Sequence, residues 1–237
     1  MNLQSKPQSV PPLSPELLAR FIAIVGERYA VTDPDTQEQY LVEMRDLYRG
    51  RTPVVLRPGS IEEVQAIVRL ANETRTAIVP QGGNTGLVGG QIPHHGEVVM
   101  SLTRLDKVRE VDPVSNTMTV EAGVTLQRAR EAAAAADRLY PQLLPSEGTC
   151  TIGGNLSTNA GGTAALVHGT ARSHALGLEV VLADGRVLNN LNKLKKDNTG
   201  YDLKNLVIGA EGTLGIITAA VMTPSVPSAP MNRFFRS

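Results

Sequence analysis

The chain of 237 residues has one cysteine, Cys150, no tryptophan, three phenylalanines and five tyrosines. A single cysteine excludes an internal disulfide, and no Cys/His cluster offers the spacing of a closed zinc site, so no metal is expected. So few aromatics leave no base-stacking surface for a nucleic acid. An excess of one charge is missing too. The 23 Lys plus Arg balance 23 Asp plus Glu, which removes the electrostatic case for nucleic acid or an anionic membrane. No apolar run approaches the length of a bilayer span. Met1 to Pro12 is polar and Pro-rich and lacks the apolar stretch of a signal peptide. The sequence reads as a cytoplasmic globular chain. At this length about 70% of the unfolded surface is buried on folding, enough for one large domain or two small ones.

Glycine, by contrast, is abundant at 22 residues, and it is clustered. The clusters are Gly82-Gly83-Asn84-Thr85-Gly86 with Gly89-Gly90, then Gly153-Gly154 and Gly161-Gly162, then Gly209 to Gly215. Each adjoins an apolar run, where backbone turns sharply or approaches a ligand closely.

Along the chain, Leu13 to Gly26 reads as a helix capped by Ser14 with Pro15 at its first position. Val54 to Pro58 reads as a strand. Ser60-Ile61-Glu62-Glu63 is a capping box in which Glu63 reaches back to the Ser60 amide. Val64, Ile67, Val68 and Ala71 then predict an amphipathic helix over 60–73. Ala77 to Pro80 and Val98 to Leu102 are further strands, so this region is a βαβ unit with parallel strands. Beyond residue 110 the character changes. Thr117 to Ala122 is a strand, and Thr125 opens a helix through Ala132 to Ala136. Asp184-Gly185 turns a hairpin between Leu178–Leu182 and Arg186–Leu188, and Gly215 to Met222 is a last strand. The expected fold is α+β with two α/β subdomains. Residues 13–110 form a small parallel one and 111–223 a larger, mostly antiparallel sheet with helices, between tails at 1–12 and 224–237, the second holding Phe234-Phe235.

The stretch Pro80-Gln81-Gly82-Gly83-Asn84-Thr85-Gly86-Leu87-Val88-Gly89-Gly90 can fold as a nest, with successive amides pointing at one anion. It lacks the Lys-Ser/Thr ending of a P-loop, and it does not have the spacing of a nicotinamide-type Rossmann fingerprint. Ser146 to Gly162 mixes glycine with small hydroxyl residues that can line a polar ligand. Gly209-Ala210-Glu211-Gly212-Thr213-Leu214-Gly215 runs directly into Ile216-Ile217. One such cluster alone is a surface loop or a set of tight turns; three together suit one long ligand.

These stretches, with Lys196-Asp197-Asn198-Thr199-Gly200-Tyr201-Asp202-Leu203 and Leu176 to Gly185, resemble the FAD-binding (PCMH-type) domain of the vanillyl-alcohol-oxidase flavoproteins. The nearest branch is the D-2-hydroxyacid dehydrogenases, which include D-lactate and D-2-hydroxyglutarate dehydrogenases and the glycolate oxidase flavin subunit. The likeness runs from about Tyr48 to Thr223. It implies FAD held between the two subdomains, and oxidation of a small 2-hydroxy acid by hydride transfer to FAD, with an electron acceptor to follow. By motif, Gly82, Gly83, Asn84, Thr85 and Gly86 would hold the diphosphate. Thr149, Thr151, Gly153, Gly154, Ser157 and Asn159 would meet the flavin or its ribityl chain, and Gly161 and Gly162 would let the backbone pass close. Glu211, Gly212 and Ile217 would border the adenine half. Pro80, Leu87, Gly90 and Gly148 complete the expected cofactor set. Members that attach FAD covalently do so through a His in or near the first loop; Asn84 stands there, so a non-covalent flavin is expected. His168 departs from the Tyr usual ahead of Gly169, and Ser173 from the acidic residue that often follows Arg172. Relatives continue into a domain that caps the flavin and supplies the catalytic groups and any metal ligands. That domain is expected to be absent from this chain, which would then pair with it, form a homodimer, or bind FAD without turnover. An alcohol or sugar oxidase of the same superfamily is the other reading of the resemblance.

The remaining chemistry-bearing residues are sparse. His94 and His95 read as a solvated loop pair, and His168 as the histidine nearest the Gly161-Gly162 turn. Arg104, Arg109 and Arg172 are the candidate anion partners, and Cys150 is read as a small buried apolar residue rather than a reactive thiol. Asn198 and Asp202 read as local turn bonding. No catalytic residue is assigned.

Overall fold

The structure is a computed structural model and describes residues 12–227. Phe234-Phe235, and the expected tails except Pro12 and 224–227, lie outside those residues. Helix α1 (Pro15–Val25) starts where Ser14 accepts a hydrogen bond from the Leu17 amide, and it buries Phe21 and Val25. β1 (Ala30–Val31), α2 (Pro34–Leu41, capped by Asp33), β2 (Val55–Leu56), α3 (Ile61–Thr74), β3 (Ile78–Gln81) and β4 (Val98–Ser101) follow. Ser60 caps α3 as expected, accepting from the Glu63 amide at 3.3 Å. The Glu63 carboxylate, however, accepts from the Gly59 amide at 2.7 Å, one residue beyond the box.

These strands form a four-stranded sheet in the order β1-β2-β4-β3, parallel except for β1. The remainder builds a second sheet, wholly antiparallel, from β5 (Val108–Asp112), β6 (Thr117–Glu121), β7 (Ala175–Val181), β8 (Val187–Asn190) and β9 (Ile216–Met222). Its order is β5-β6-β9-β7-β8. Between β6 and β7 come α4 (Leu126–Ala135), α5 (Ile152–Ser157) and α6 (Ala165–His168), and α7 (Lys204–Val207) precedes β9. The helix lengths fit their content, since α4 is alanine-rich while α5 holds two glycines and is fixed by its cap and packing. Thr151 caps α5 through the Gly154 amide.

Two cores result. One face of the antiparallel sheet (Met118, Val120, Leu178, Val180, Ile217) packs on α4 and α5 with Tyr140 and Cys150. The other core joins α1, α3 and the parallel sheet, and it takes in Val181 and Ile216 from the second sheet. The two halves are therefore seamed together, and Gln65 and Arg69 on α3 donate to the Gly185 carbonyl of the hairpin. His174 is buried in the first of these cores, edge-on to Tyr140. Burial, and then His168, holds its imidazole below the usual range. Ser225 and Leu139 exchange backbone hydrogen bonds, so this part of the expected tail belongs to the fold.

The reverse face of the antiparallel sheet is also buried and carries charge. Glu121, Ala219 and Glu179 stand opposite one another on β6, β9 and β7. Arg109 is the extra residue of a bulge in β5, and a bulge re-aims a side chain. It reaches Glu121 and Glu179 at 3.2 Å each, with the small Ala219 between the two carboxylates. Burial acts to lower the Arg109 pKa, but the bonds to Glu179 and Glu121 outweigh it and leave the guanidinium raised. Thr218 donates to Glu179 at 2.9 Å.

Candidate cofactor site

The three glycine clusters converge on one cleft of about 480 Å³ between the sheets, within the range of small-molecule sites. From the first cluster it is lined by Pro80, Gly82, Gly83, Asn84, Thr85, Gly86, Leu87 and Gly90. Thr151, Gly153, Gly154 and Ser157 of α5 and its cap line it from a second side, and Glu211, Gly212 and Ile217 from a third. The third cluster is strapped to α5 because the Gly209 and Glu211 amides donate to the Leu156 and Ser157 carbonyls.

Among the described residues, none of the ten main-chain N–H groups from Gly82 to Gln91 donates a hydrogen bond within the protein. Those of Gly82 to Gly86 belong to partly buried residues, where amides seldom go unpaired, and a consecutive run of free amides suits an anion nest. The glycines let it sit deep. A Cβ on Gly83 would collide with the Thr149 carbonyl, and one on Gly82 with the Thr151 hydroxyl. Among the described residues, Glu211 is the one ionisable side chain in the lining, which includes no Lys, Arg or His. An anion placed here meets backbone dipoles rather than a counter-ion.

Five of the expected cofactor residues, Gly148, Thr149, Asn159, Gly161 and Gly162, fall outside the lining. The Thr149 carbonyl stands where a Cβ on Gly83 would be, and a Cβ on Gly148 would lie 3.3 Å from the Gln127 side-chain oxygen. Asn159 adopts a left-handed conformation and accepts from the Arg172 amide. Gly161 packs by Ala165. Gly162, at φ +89°, would carry a Cβ into the Leu143 carbonyl. The Asn84 side chain also turns to internal partners, donating to the Gln39 and Val42 carbonyls at 2.9 and 2.8 Å.

The candidate arginines are all engaged elsewhere. Arg104 stacks on the Tyr29 ring and donates to the Arg57 carbonyl. Arg109 serves the buried glutamates, and Arg172 bonds the Asn205 and Ile208 carbonyls. His94 bonds the Gly89 carbonyl and packs edge-on to Tyr48, away from the cleft lining. Cys150 is buried in the core as expected, with the Asn155 amide at 3.6 Å from its sulfur. Among the described residues no metal-binding cluster occurs, and no helix is long and apolar enough to cross a membrane.

The sequence reading missed Gln81 and Gln91, which flank the first cluster, and Met44, which lines the mouth. Side-chain amides bracketing a glycine run were an available signal for the glutamines. Met44 had none, because its position depends on the fold of residues 42–51. A second hollow of about 330 Å³ lies behind Pro80, Gly212 and Gly215, with an apolar floor and Arg75 among its lining.

A mostly parallel and an antiparallel sheet around a glycine-walled nest make a domain suited to a diphosphate-bearing cofactor, and the family comparison says which. The FAD binding domain model matches residues 52–190, and the chain belongs to that family. Its cofactor is FAD, and the cleft fits it, offering free amides for the diphosphate and close-approach glycines around them. Two curated relatives are particularly similar. The mitochondrial D-2-hydroxyglutarate dehydrogenase of Danio rerio is 44% identical over 95% of this chain and 43% of its own length. The D-2-hydroxyglutarate–pyruvate transhydrogenase of Saccharomyces cerevisiae is 40% identical over 94% of this chain and 45% of its own. The chain thus spans less than half the length of these relatives. Among solved structures, an alkyldihydroxyacetonephosphate synthase superposes with a TM-score of 0.80 at 24% identity, covering 97% of this chain and 44% of that one.

Proposed function

We propose that this chain is the cofactor-holding half of an FAD-dependent dehydrogenase acting on a D-2-hydroxy acid, with D-2-hydroxyglutarate the first substrate to test. The observation that carries the reading is the run of free amides from Gly82 to Gln91, all but Gly89 on residues that line the glycine-walled cleft; the substrate class is supported by the 44% identity to the dehydrogenase. Bound FAD supplies a two-electron acceptor for the hydride leaving the Cα of a hydroxy acid.

The residues of the chain do the rest of the holding. The Gly82–Gln91 amides take the diphosphate charge, Gly82 and Gly83 allow close approach, and Thr151 and Ser157 offer hydroxyls to the sugar-alcohol part. Oxidation of the acid also needs a base and a cation for the carboxylate. Among the described residues no Lys, Arg or His lines the cleft, and a partner domain supplying both groups fits this reading. Met44, Leu87 and Val88 line the cleft with apolar side chains, and Met44 and Val88 are about three-quarters exposed. An apolar rim of that kind suits a domain closing over the cofactor.

The flavin is held without a covalent link in this reading, since among the described residues no His, Cys or Tyr lines the cleft. The test is uptake of FAD by the purified chain, followed by acid precipitation. The expected result is a yellow protein that takes up one FAD, releases all of it to the acid supernatant, and does not oxidise D-2-hydroxyglutarate by itself with a dye acceptor. A chain that stays colourless with added FAD contradicts the reading. Flavin retained in the pellet contradicts the non-covalent part.

A further inference from the structure

Three side-chain amides form a clasp around the amide loop. The Gln91 Nε2 group donates to the Gly86 carbonyl at 2.8 Å and to Asn84 Oδ1 at 3.1 Å. Asn84 in turn donates to the Gln39 and Val42 carbonyls. Gln81 Nε2 donates to the Tyr40 carbonyl at 2.9 Å and to the Gln91 carbonyl at 3.0 Å. Each end of the glycine run is thereby tied to the other, and both are tied to residues 39–42. Within the loop itself, no main-chain hydrogen bond between Gly82 and Gln91 holds its shape. A main-chain bond from Ile92 to the Gly89 carbonyl turns its far end, while the bonds that cross the loop come from side chains, those to Gly86 and Asn84 from Gln91. Its fit is close, for a Cβ on Gly86 would lie 2.7 Å from Gln91 Oε1. Asn84 sits at φ +52°, which this bonding stabilises.

We propose that Gln91 is a positioning residue for the anion nest. It bends the loop from Gly82 to Gly90 so that its amides converge before any ligand arrives, with Asn84 as relay to residues 39–42. This rests on the FAD reading above and adds a residue that binds through the shape it imposes. A nest that must be shaped at the moment of binding loses affinity to the ordering of the loop, whereas a preformed one does not.

The test is FAD titration of wild type, Gln91→Leu and Gln91→Glu, with flavin fluorescence as the readout, alongside melting temperatures without FAD. Gln91→Leu removes two hydrogen bonds and is expected to weaken FAD binding about tenfold, with the melting temperature of the free protein nearly unchanged. Gln91→Glu keeps the shape, but its carboxylate cannot donate and would add a negative charge to the loop that would hold the diphosphate. It is expected to bind more weakly than Gln91→Leu at pH 8 and to recover as the pH falls toward 5, when a protonated carboxyl can donate again to the Gly86 carbonyl. Glu211, the one ionisable group that lines the cleft among the described residues, is common to all three proteins, so a pH response confined to Gln91→Glu belongs to the introduced carboxyl. Equal FAD affinity in wild type and both variants overturns the proposal and leaves the FAD reading standing. Loss of binding in step with a lowered melting temperature, with no acid recovery in Gln91→Glu, overturns it as well. A wild type that does not bind FAD sinks the reading beneath it.

Discussion

Gly83→Ala is expected to weaken FAD binding by about 10- to 100-fold, corresponding to roughly 1–3 kcal/mol of overpacking. The new methyl group would collide with the Thr149 carbonyl and crowd the Cys150 α-carbon. Both obstacles are backbone, placed by the turn that leads into α5, so neither can rotate aside. The loop must lift away from α5, and its amides then diverge. Gly200→Ala is the control, because a Cβ there meets nothing within 4 Å. Equilibrium titration checks the pair, and equal affinities for Gly83→Ala and wild type would mean the loop does not need its observed seat.

Arg109→Met is expected to be the most destabilising single change on the reverse face of the sheet. It leaves Glu121 and Glu179, both nearly inaccessible to solvent, without their shared counter-ion. Breaking one side of a buried ion pair is worth about 3–5 kcal/mol. The Arg109 side chain is a third exposed, which scales the expectation down to about 2–3 kcal/mol, or a melting temperature lower by roughly 5–10 °C. Replacing both glutamates by leucine in the Arg109→Met background is expected to recover most of the loss, because the penalty belongs to the uncompensated carboxylates. Thermal denaturation of the single and triple variants decides. A triple variant less stable than Arg109→Met would show that the three side chains contribute chiefly through packing.

Much of the frame was legible because local chemistry and tertiary structure agree there. Asp184-Gly185 turns the β7–β8 hairpin, with Gly185 at φ +78°. Ser60 caps α3. The expected division at 110 falls inside β5 (Val108–Asp112), so the change from parallel to antiparallel pairing comes earlier, between Ser101 and Val108. The convergence of the clusters was legible through the glycines themselves, since Gly82 and Gly83 lie where backbone or a fixed side chain bars a Cβ.

Other parts depend on partners distant in the chain. α5 has two glycines among six residues, and its propensity argues against a helix; its Thr151 cap and the bonds from Ile152 and Gly153 to Val124 and Ala122 impose one. β5 carries Arg109 and Glu110 and shows no apolar alternation, because its role is to aim Arg109 across the sheet. Gln91 reads as an ordinary polar residue after Gly90, and its function appears only when Gly86 and Asn84 are folded around it. Gly162, at φ +89°, leaves no room for a Cβ because the Leu143 carbonyl stands there, a contact that shows only in the folded chain.

The central claim is that unpaired backbone amides hold the diphosphate of FAD. Residue-resolved hydrogen exchange with and without FAD measures this directly. Without cofactor, the amides from Gly82 to Gln91 are expected to exchange fast, since none has an internal acceptor. With FAD, several of them are expected to slow strongly, while the amides of Gly153 and Asn155, already bonded to Ala122 and Thr151, change little. FAD bound at full occupancy with the 82–91 amides still exchanging fast would contradict the account.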